Sequence, residues 1–156
     1  MERRCVRDSQ VITTQLVLPN DTNQLGNLLG GTLMHWIDIA AAISAQRHSG
    51  RVCVTASVDE LNFHNPIKLG EIVTLQASVN RVFTTSMEIG VVVTAGAAPG
   101  KAPRRANNAY LTFVALDDRG RPVRVPPILP ETADEKRRFK EALQRREQRL
   151  KHRRQT

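Results

Sequence analysis

Asp38 is the residue whose position most clearly suggests chemistry. It lies in the middle of an apolar segment, between Ile37 and Ile39 and one helical turn after Met34. Burying a carboxylate among such neighbours costs free energy unless it is paired or hydrogen-bonded. One interpretation is that Asp38 faces a polar seam or pairs with a strand residue. The other is that Asp38 is a general base or nucleophile held in a dry cleft.

Two glycines, Gly30 and Gly31, come directly before this segment. The pair could be an ordinary flexible entry to a helix. It could also let a ligand approach the backbone, because side chains are missing and the free amides of a helix N-terminus favour negative charge. Amides placed in this way can stabilise the oxyanion that forms when a carbonyl is attacked.

A polar loop precedes the glycines and contains Asn20, Asp21 and Asn23. Each of these residues is typical of turns, because its side chain hydrogen-bonds to nearby backbone groups. An amide side chain in this loop could instead orient a water molecule or a substrate carbonyl. The sequence leaves both interpretations open.

The histidines do not form a metal-binding pattern. His35, His48, His64 and His152 have no ligand spacing with cysteines or acids, so no metal site is expected. His35 precedes Asp38 by three positions and shares a helix face with it, so a His–Asp pair is one reading and a packing or surface histidine is the other. No serine has a nucleophile-elbow context, and no phosphate-binding glycine loop occurs.

Hydrophobic periodicity defines the elements that must position these residues. It predicts a buried helix over about residues 32–47, apolar on nearly every side. Alternating segments predict strands at residues 11–18, 51–63, 72–82, 86–94 and 107–116. From Glu131 onward the chain is charged and helical, with Phe139, Leu143 and Leu150 on a sparse apolar stripe. The order predicts an α+β fold in which one antiparallel sheet wraps around one central helix.

The chain divides into three parts by composition. Residues 1–10 form an N-terminal lead, residues 11–127 the folded domain, and residues 128–156 a charged helical tail after a proline-rich edge. The net charge of +8 comes largely from Lys136 to Arg154, so nucleic-acid binding is not expected from charge alone. Cys5 and Cys53 indicate no disulfide framework, and no apolar run is long enough to span a membrane. A cytoplasmic protein is expected.

The ordered set of motifs resembles the acyl-CoA hydrolases of the hotdog superfamily, of the bacterial YciA and mammalian brain acyl-CoA hydrolase type. The resemblance covers roughly residues 11–127. Its motifs are Pro19-Asn20-Asp21-Thr22-Asn23, Gly26, Gly30-Gly31, Asp38, Arg47-His48, Asn62-Phe63, Pro66-Ile67, Gly70-Glu71 and Thr85-Ser86-Met87-Glu88. It implies the hotdog fold and hydrolysis of acyl-CoA to coenzyme A and a carboxylic acid. No cofactor is implied, because coenzyme A is part of the substrate.

The resemblance also assigns roles by position. Asp38 matches the catalytic acid, Asn23 matches an assisting loop asparagine, and Gly31 matches the glycine whose amide polarises the thioester carbonyl. In this family the first two residues come from different hotdog units. A dimer is therefore expected as the minimal active unit, and a trimer of dimers as the full homohexamer.

The substrate contacts expected from the resemblance are Gly30, Asn62, Arg81, Thr84, Thr85 and Ser86. The last four would form a wall for the coenzyme. The family often has glycine in the turn before Thr85 and Ser86, where this chain has Phe83 and Thr84. This difference from the family pattern affects which residues of the turn are expected to contact the coenzyme.

Two other functions compete with hydrolysis. A hotdog hydratase or dehydratase works with a His–acid pair, so His35 or His64 would have to reach Asp38. A non-enzymatic acyl-CoA sensor or nucleic-acid binder is suggested by the basic tail, but the sequence contains no separate DNA-reading domain. Release of free thiol separates a hydrolase from a hydratase.

Overall fold

The computed structural model describes residues 1–59, 61–63, 65–97 and 100–155. Two α-helices and seven β-strands account for most of this chain. In chain order they are β1 (Arg4–Cys5), β2 (Val11–Leu16), α1 (Gly30–Ser49), β3 (Val52–Val58), β4 (Ile72–Val82), β5 (Ser86–Gly96), β6 (Arg104–Leu116), β7 (Ile128–Leu129) and α2 (Ala133–Arg154). Short 3-10 turns precede β2 and α1.

The main sheet has five antiparallel strands in the order β2-β4-β5-β6-β3. It curls around α1, which contacts all five of its strands. Strands β1 and β7 form a separate parallel pair. The predicted sheet wrapped around a central helix, which is the hotdog fold, is confirmed.

The core lies between α1 and the inner face of the sheet. In β4, β5 and β6 alternate apolar side chains are almost fully buried, as the period-two pattern of these strands predicts. The largest of them include Leu75, Met87, Ile89, Leu111 and Phe113. α1 contributes Leu33, Ile37 and three alanines, and its small residues let the helix approach the sheet closely. The helix ends where Gly50 adopts a left-handed conformation, with φ of 69°.

One face of α1 is open to solvent, contrary to the expectation of complete burial. Gly31, His35 and Ile39 follow one another at four-residue spacing, and all three are exposed. Ile39 is 44% exposed although it is a large apolar side chain. The sheet covers only one side of α1, so composition alone overestimated how much of the helix a single chain buries.

Strand β3 lies at the edge of the sheet, and its apolar face points outward. Val52, Val54 and Val58 are 67%, 44% and 41% exposed, whereas Cys53 between them is buried. The alternation predicted for this strand is therefore present, but the valines do not face the core of their own chain. An edge strand with exposed valines is suited to pairing with another chain.

Helix α2 packs against the outer face of the sheet through arginines. Arg145 forms a two-pronged ion pair with the fully buried Glu88 of β5, with N···O distances of 2.8 and 2.9 Å. Arg149 pairs with Asp59 at 3.0 Å, and the guanidinium of Arg145 also lies 3.6 Å from the centre of the Tyr110 ring.

Two of the three residues of the apolar stripe predicted for α2 do not take part in its contact with the sheet. Leu143 and Leu150 are 37% and 40% exposed, and Ala142 is the residue that is fully buried. Phe139 is the one member of the stripe that packs against the core.

The two terminal segments are integrated into the fold rather than separate from it. Within residues 1–10, Val6 and Ser9 are buried, and the Ser9 hydroxyl accepts a hydrogen bond from Val79 N at 3.0 Å. Within residues 128–156, β7 pairs with β1 and α2 covers the sheet. Among the described residues, neither helix combines the length and apolar character needed to cross a membrane.

Candidate active site

The N-terminus of α1 presents free backbone amides. The helix begins at Gly30, so both glycines lie in its first turn rather than before it. The first bond of the helix runs from Leu33 N to Leu29 O at 3.1 Å. In the described part of the chain, the amides of Gly30, Gly31 and Thr32 have no hydrogen-bond acceptor, as expected for the first turn of a helix.

The two glycines have different surroundings. A Cβ on Gly30 would lie 3.3 Å from the Phe63 ring, so the ring fits against the bare backbone there. A Cβ on Gly31 would meet no atom within 4 Å. Gly31 is exposed on the open face of α1, so a ligand from outside the chain can approach the backbone at this residue.

Asn23 holds the loop before α1 in a turn. Its Oδ1 accepts hydrogen bonds from Leu25 N at 2.9 Å and Asn27 N at 3.1 Å. The turn chemistry expected from the sequence is therefore present. The Nδ2 group of Asn23 has no partner among the described residues, and the side chain is exposed. This amide can donate to a carbonyl or a water molecule while Oδ1 fixes its orientation.

A second loop fixes the position of the Asn23 turn. Leu28 N donates to Ile67 O at 2.6 Å, and Leu69 N donates to Gly26 O at 2.9 Å. The second loop is in turn held by Glu71, which is paired with Arg104. The hydrogen bond from Arg104 lowers the pKa of the Glu71 carboxyl, and this effect outweighs the rise caused by burial.

A cleft of about 240 Å³ lies beside the start of α1. Asn23 and Gly30 line it together with the ring of Phe63. Leu33 and Ile67 form an apolar part of the wall. Thus the structure brings together the loop asparagine and the helix entry, whereas Asp38 does not line this cleft.

Asp38 is hydrogen-bonded to a residue that the sequence did not single out. Thr55 Oγ1 on β3 donates to Asp38 Oδ1 at 2.7 Å. Asp38 is half-buried and Thr55 is exposed, so the dry cleft expected for the carboxylate does not exist within one chain. A strand partner for Asp38, which the sequence left as an alternative, is present. It holds one carboxylate oxygen and leaves the other without a partner in the described chain.

A signal for Thr55 was present in the alternation of β3. Thr55 is two residues from Cys53, which is buried and lies 3.2 Å from Ser49 of α1 between Sγ and Oγ. Residues two apart in a strand share a face. Thr55 is therefore the polar residue on the helix-facing side of β3, opposite the outward valines.

The histidines do not join this site. No hydrogen bond or ion pair between His35 and Asp38 occurs in the described structure, and His35 is exposed. His64 lies outside the described residues. His48 is buried at the other end of α1, where its Nε2 bonds to Pro126 O at 2.7 Å. Burial lowers the pKa of His48, so the ring is neutral and Nε2 donates this bond.

No group of side chains suited to a metal ion occurs in the described ranges. The described residues offer one carboxylate, one amide side chain and the backbone amides of a helix N-terminus. A carboxylate can act as a base or nucleophile, and amides can donate hydrogen bonds to a carbonyl.

The residues expected to contact the coenzyme lie in two places. Thr84, Thr85 and Ser86 lie in and after the β4–β5 turn, whose Thr84 O accepts from Val125 N at 3.1 Å. Arg81 has its guanidinium engaged by α2, donating to Phe139 O at 3.1 Å and lying 3.9 Å from the Phe139 ring centre. Asn62 is exposed, next to the Phe63 of the cleft.

The chain matches the thioesterase superfamily over residues 25–98. It is 44% identical over 134 residues to the acyl-CoA thioester hydrolase YkhA of Bacillus subtilis (strain 168), itself described as uncharacterized, covering 86% of this chain and 78% of that protein. It is 39% identical to the cytosolic acyl coenzyme A thioester hydrolase of Rattus norvegicus, covering 90% of this chain. The chain spans only 37% of the length of that relative and 24% of the mouse acyl-coenzyme A thioesterase 11.

Solved structures of similar sequence have the same fold. An acyl-CoA hydrolase from Bacillus cereus superposes with a TM-score of 0.94 at 35% identity, covering 99% of this chain and 94% of that one. An acyl-CoA hydrolase from Staphylococcus aureus, solved with butyryl coenzyme A and coenzyme A, superposes with a TM-score of 0.92 at 40% identity, covering 97% and 93%. A hexameric acyl-CoA thioesterase gives a TM-score of 0.93 at 36% identity, with 97% of both chains covered.

Three alanine variants of the S. aureus enzyme have also been solved, at an asparagine, an aspartate and a threonine. Along that chain these positions are separated by the same numbers of residues as Asn23, Asp38 and Thr55 are here. The fold, the ordered motifs and these relatives together show that the chain belongs to the hotdog-fold acyl-CoA thioester hydrolases of the thioesterase superfamily.

Proposed function

We propose that this protein hydrolyses acyl-CoA thioesters to free coenzyme A and a carboxylic acid, in an active site shared between two chains. The observation that carries the proposal is the Asp38–Thr55 hydrogen bond, which holds a carboxylate on the helix whose first turn carries the free amide of Gly31. The carboxylate supports a role as base or nucleophile, and the free amide supports a role as oxyanion donor. The threonine and aspartate substituted in the S. aureus enzyme have the same spacing and support this assignment.

The reaction needs only the groups present. The Gly31 amide donates to the thioester carbonyl and stabilises the developing oxyanion. Asp38 takes a proton from water, whose oxygen attacks the carbonyl carbon; the C–S bond then breaks and the thiolate takes up the proton. In the other route Asp38 attacks the carbonyl carbon, and the C–S bond breaks to release the thiolate and an acyl–Asp38 anhydride. Water then hydrolyses the anhydride, which regenerates the carboxylate and supplies the proton for the thiolate. Asn23 orients the carbonyl or the water through its free Nδ2.

A second chain is required because the groups do not converge within one. Gly31 and Asp38 are separated by seven residues, or about 10 Å along a helix, and Asn23 belongs to the cleft that Asp38 does not line. A two-fold dimer with antiparallel central helices brings Asn23 of one chain to Asp38 of the other. The exposed valines of β3 and the exposed Ile39 provide apolar surface for such a dimer. The hexameric relative supports assembly of three dimers.

The first experiment measures thiol release with a chromogenic thiol reagent over a series of acyl-CoA chain lengths. Hydrolysis releases one thiol per substrate, whereas a hydratase or a non-enzymatic sensor releases none. The expected result is catalytic thiol release with at least one chain length. A purified, folded oligomer that releases no thiol from any of them would contradict the proposed activity.

The second experiment tests whether the site is shared. Asn23→Ala and Asp38→Asn chains, each inactive alone, are mixed under conditions that allow subunit exchange. Half of randomly formed dimers are mixed, and each mixed dimer has one intact site out of two, so recovery should approach about a quarter of wild-type activity. Homodimers of each variant serve as controls. If mass spectrometry shows exchange without recovery, the site lies within one chain.

The hydratase alternative is not favoured, since no hydrogen bond or ion pair joins His35 to Asp38 in the described structure and the related proteins are named hydrolases. Sensor and nucleic-acid functions are disfavoured because the arginines that face the sheet from α2 are engaged in ion pairs and ring contacts. A cytoplasmic location is proposed from the paucity of cysteines and from the mammalian relatives named cytosolic. No cofactor is proposed beyond the coenzyme of the substrate itself.

A further inference from the structure

Helix α2 separates its arginines from its lysines. Arg145 and Arg149 bind the carboxylates of Glu88 and Asp59, and Arg146 lies 4.1 Å from the centre of the Phe83 ring. The lysines of the helix are all exposed, and none forms an ion pair among the described residues: Lys136, Lys140 and Lys151. The arginines therefore hold the helix to the protein, whereas the lysines point away from it.

The outward side of α2 is one continuous surface, which we call the α2 face. Its members are exposed and are spaced alternately by four and three residues, so they lie along one side of the helix. They are Lys136, Lys140, Leu143, Glu147, Leu150 and Arg154, with Lys151 beside them. The α2 face extends about 27 Å from Lys136 to Arg154, at 1.5 Å per residue. It thus combines two exposed leucines with a row of basic side chains.

The α2 face is poorly suited to contact with water alone. Lys136 and Lys140 are one helical turn apart, and like charges at this spacing destabilise a helix. Elsewhere on α2 such positions are used for pairing, as Arg137 is with Glu141 at 3.1 Å. The α2 face has four basic side chains against one acid, Glu147, so its charge is not balanced internally. An anionic surface would relieve this repulsion and would cover the leucines if it also had an apolar layer.

The composition of the α2 face distinguishes between its possible occupants. A second copy of the same face would bring two surfaces of excess positive charge together. A nucleic acid would neutralise the lysines but would offer its phosphates to the leucines as well. A bilayer with anionic lipids has headgroup phosphates for the lysines and an acyl boundary for the leucines, and the long lysine side chains can reach outward from that boundary.

We propose that the α2 face docks the protein on membranes that contain anionic lipids. Leu143 and Leu150 enter the headgroup–acyl boundary, and Lys136, Lys140 and Lys151 contact headgroup phosphates. The helix lies along the membrane surface and does not cross it. Its arginines keep their contacts with Glu88 and Asp59, so docking requires no unfolding of the outer side of the sheet. This inference does not depend on the proposed hydrolysis.

The test is co-sedimentation of the full chain with two kinds of vesicle, phosphatidylcholine alone and phosphatidylcholine with about one third phosphatidylglycerol. We expect binding to the second kind only, and weaker binding as the ionic strength rises. Lys136→Gln, Lys140→Gln and Lys151→Gln combined should lower the partition coefficient on the order of 100-fold. Leu143→Gln with Leu150→Gln should lower it about tenfold. The matched control removes three exposed positive charges outside α2 and should bind as the wild type does: Lys101→Gln, Arg119→Gln and Arg121→Gln.

Each variant is compared at equal oligomeric mass and melting temperature, so a loss of binding cannot come from misfolding. An absence of binding to the anionic vesicles, or equal binding to phosphatidylcholine alone, would overturn the proposal. Equal losses in the lysine and control variants would assign the attraction to net charge rather than to the α2 face. Wild-type binding by the leucine variant would show that no apolar side chain enters the membrane, which also contradicts the proposal. If duplex DNA binds through the three lysines and vesicles do not bind, the α2 face is a nucleic-acid surface instead.

Discussion

The two helices have opposite compositions, and their roles are the reverse of what composition suggests. α1 is apolar and packs on the inside of the sheet, yet one of its faces is open and carries Asp38 and the free amide of Gly31. α2 is highly charged and lies on the outside, yet its arginines are bound to Glu88, Asp59 and aromatic rings. The apolar helix therefore presents polar groups that lack partners among the described residues, and the arginines of the charged helix hold that helix to the sheet.

The difference lies in whether a polar group finds a partner within its own chain. Glu88 is fully buried and has partners in Arg145 and Asn80, the latter at 3.0 Å. Such a pair costs free energy if it is broken, although it need not exceed an apolar contact in stability. Among the described residues, Asp38 has one hydrogen-bond partner, Thr55, and its second oxygen has none. Substitutions on the two helices should therefore affect different properties, activity for α1 and stability for α2.

The largest effect is expected from Asp38→Asn on α1. The amide is nearly isosteric but cannot act as a base or a nucleophile, so kcat should fall by about 10²–10⁴-fold. The circular dichroism spectrum and the oligomeric mass should be unchanged. His35→Gln, on the same exposed face, is the control and should retain near wild-type thiol release. A folded Asp38→Asn protein with near wild-type turnover would remove Asp38 from the site.

The next effect is expected from Arg145→Met on α2. This substitution removes the two-pronged ion pair from the buried Glu88 carboxylate and leaves it only the longer 3.8 Å ion pair with Arg149. Breaking a buried ion pair typically costs about 3–5 kcal/mol. Urea denaturation at pH 7.5 should show the loss. Lys140→Met, at an exposed position of α2, should change the free energy of unfolding by less than about 0.5 kcal/mol. Equal stability of the two variants would show that α2 is not held by the Glu88 pair.

A smaller effect on activity is expected from Thr55→Val. The substitution removes the hydrogen bond to Asp38 Oδ1 while keeping the shape of the side chain, so kcat should fall about tenfold, equivalent to one ordinary hydrogen bond. Thr14→Val, on the exposed side of β2, is the matched control. A loss of stability without a loss of kcat would make Thr55 a packing residue rather than a positioning residue.

The smallest effect concerns pH and His48 at the far end of α1. Burial lowers the pKa of His48, so near pH 6.5 the unfolded chain binds a proton that the folded chain does not. This contribution to stability is present above that pH and is lost as the pH falls below it. The melting temperature should therefore fall from pH 7.5 to 5.5, and by less in His48→Gln. An identical fall in both proteins would exclude His48 as its source.

The sequence predicted best those elements whose position depends on many buried side chains repeated at a regular spacing. The alternation of β4, β5 and β6 predicted their positions because many buried side chains repeat with the same period. The start of α1 was placed two residues late, since Gly30 and Gly31 lower helix propensity while the surrounding loops hold them in the first turn. The wrapping of one antiparallel sheet around a helix followed from the order of a buried helix and a run of strands, whereas the order of the strands within the sheet was not predicted.

The parts not predicted depend on single partners distant in sequence. Glu88 and Arg145 are separated by 57 residues, and Thr55 and Asp38 by 17. No periodicity marks the Glu88–Arg145 pair, and the alternation of β3 indicates the face of Thr55 without identifying Asp38 as its partner. Likewise, the outward direction of the β3 valines depends on which strand lies at the edge of the sheet. The roles of Asn23, Asp38 and Gly31 remain predictions that the hybrid and substitution experiments test.

The exposed valines of β3 also have a consequence for the free protomer. A newly made chain presents an unpaired strand edge with apolar side chains, which is the surface through which proteins aggregate. Assembly with a partner chain therefore competes with aggregation during synthesis. Dilution that dissociates the oligomer exposes the same strand edge again. The same strand carries Thr55, the partner of Asp38, on its other face, so one seven-residue segment links the position of Asp38 to the protein concentration at which the assembled state persists.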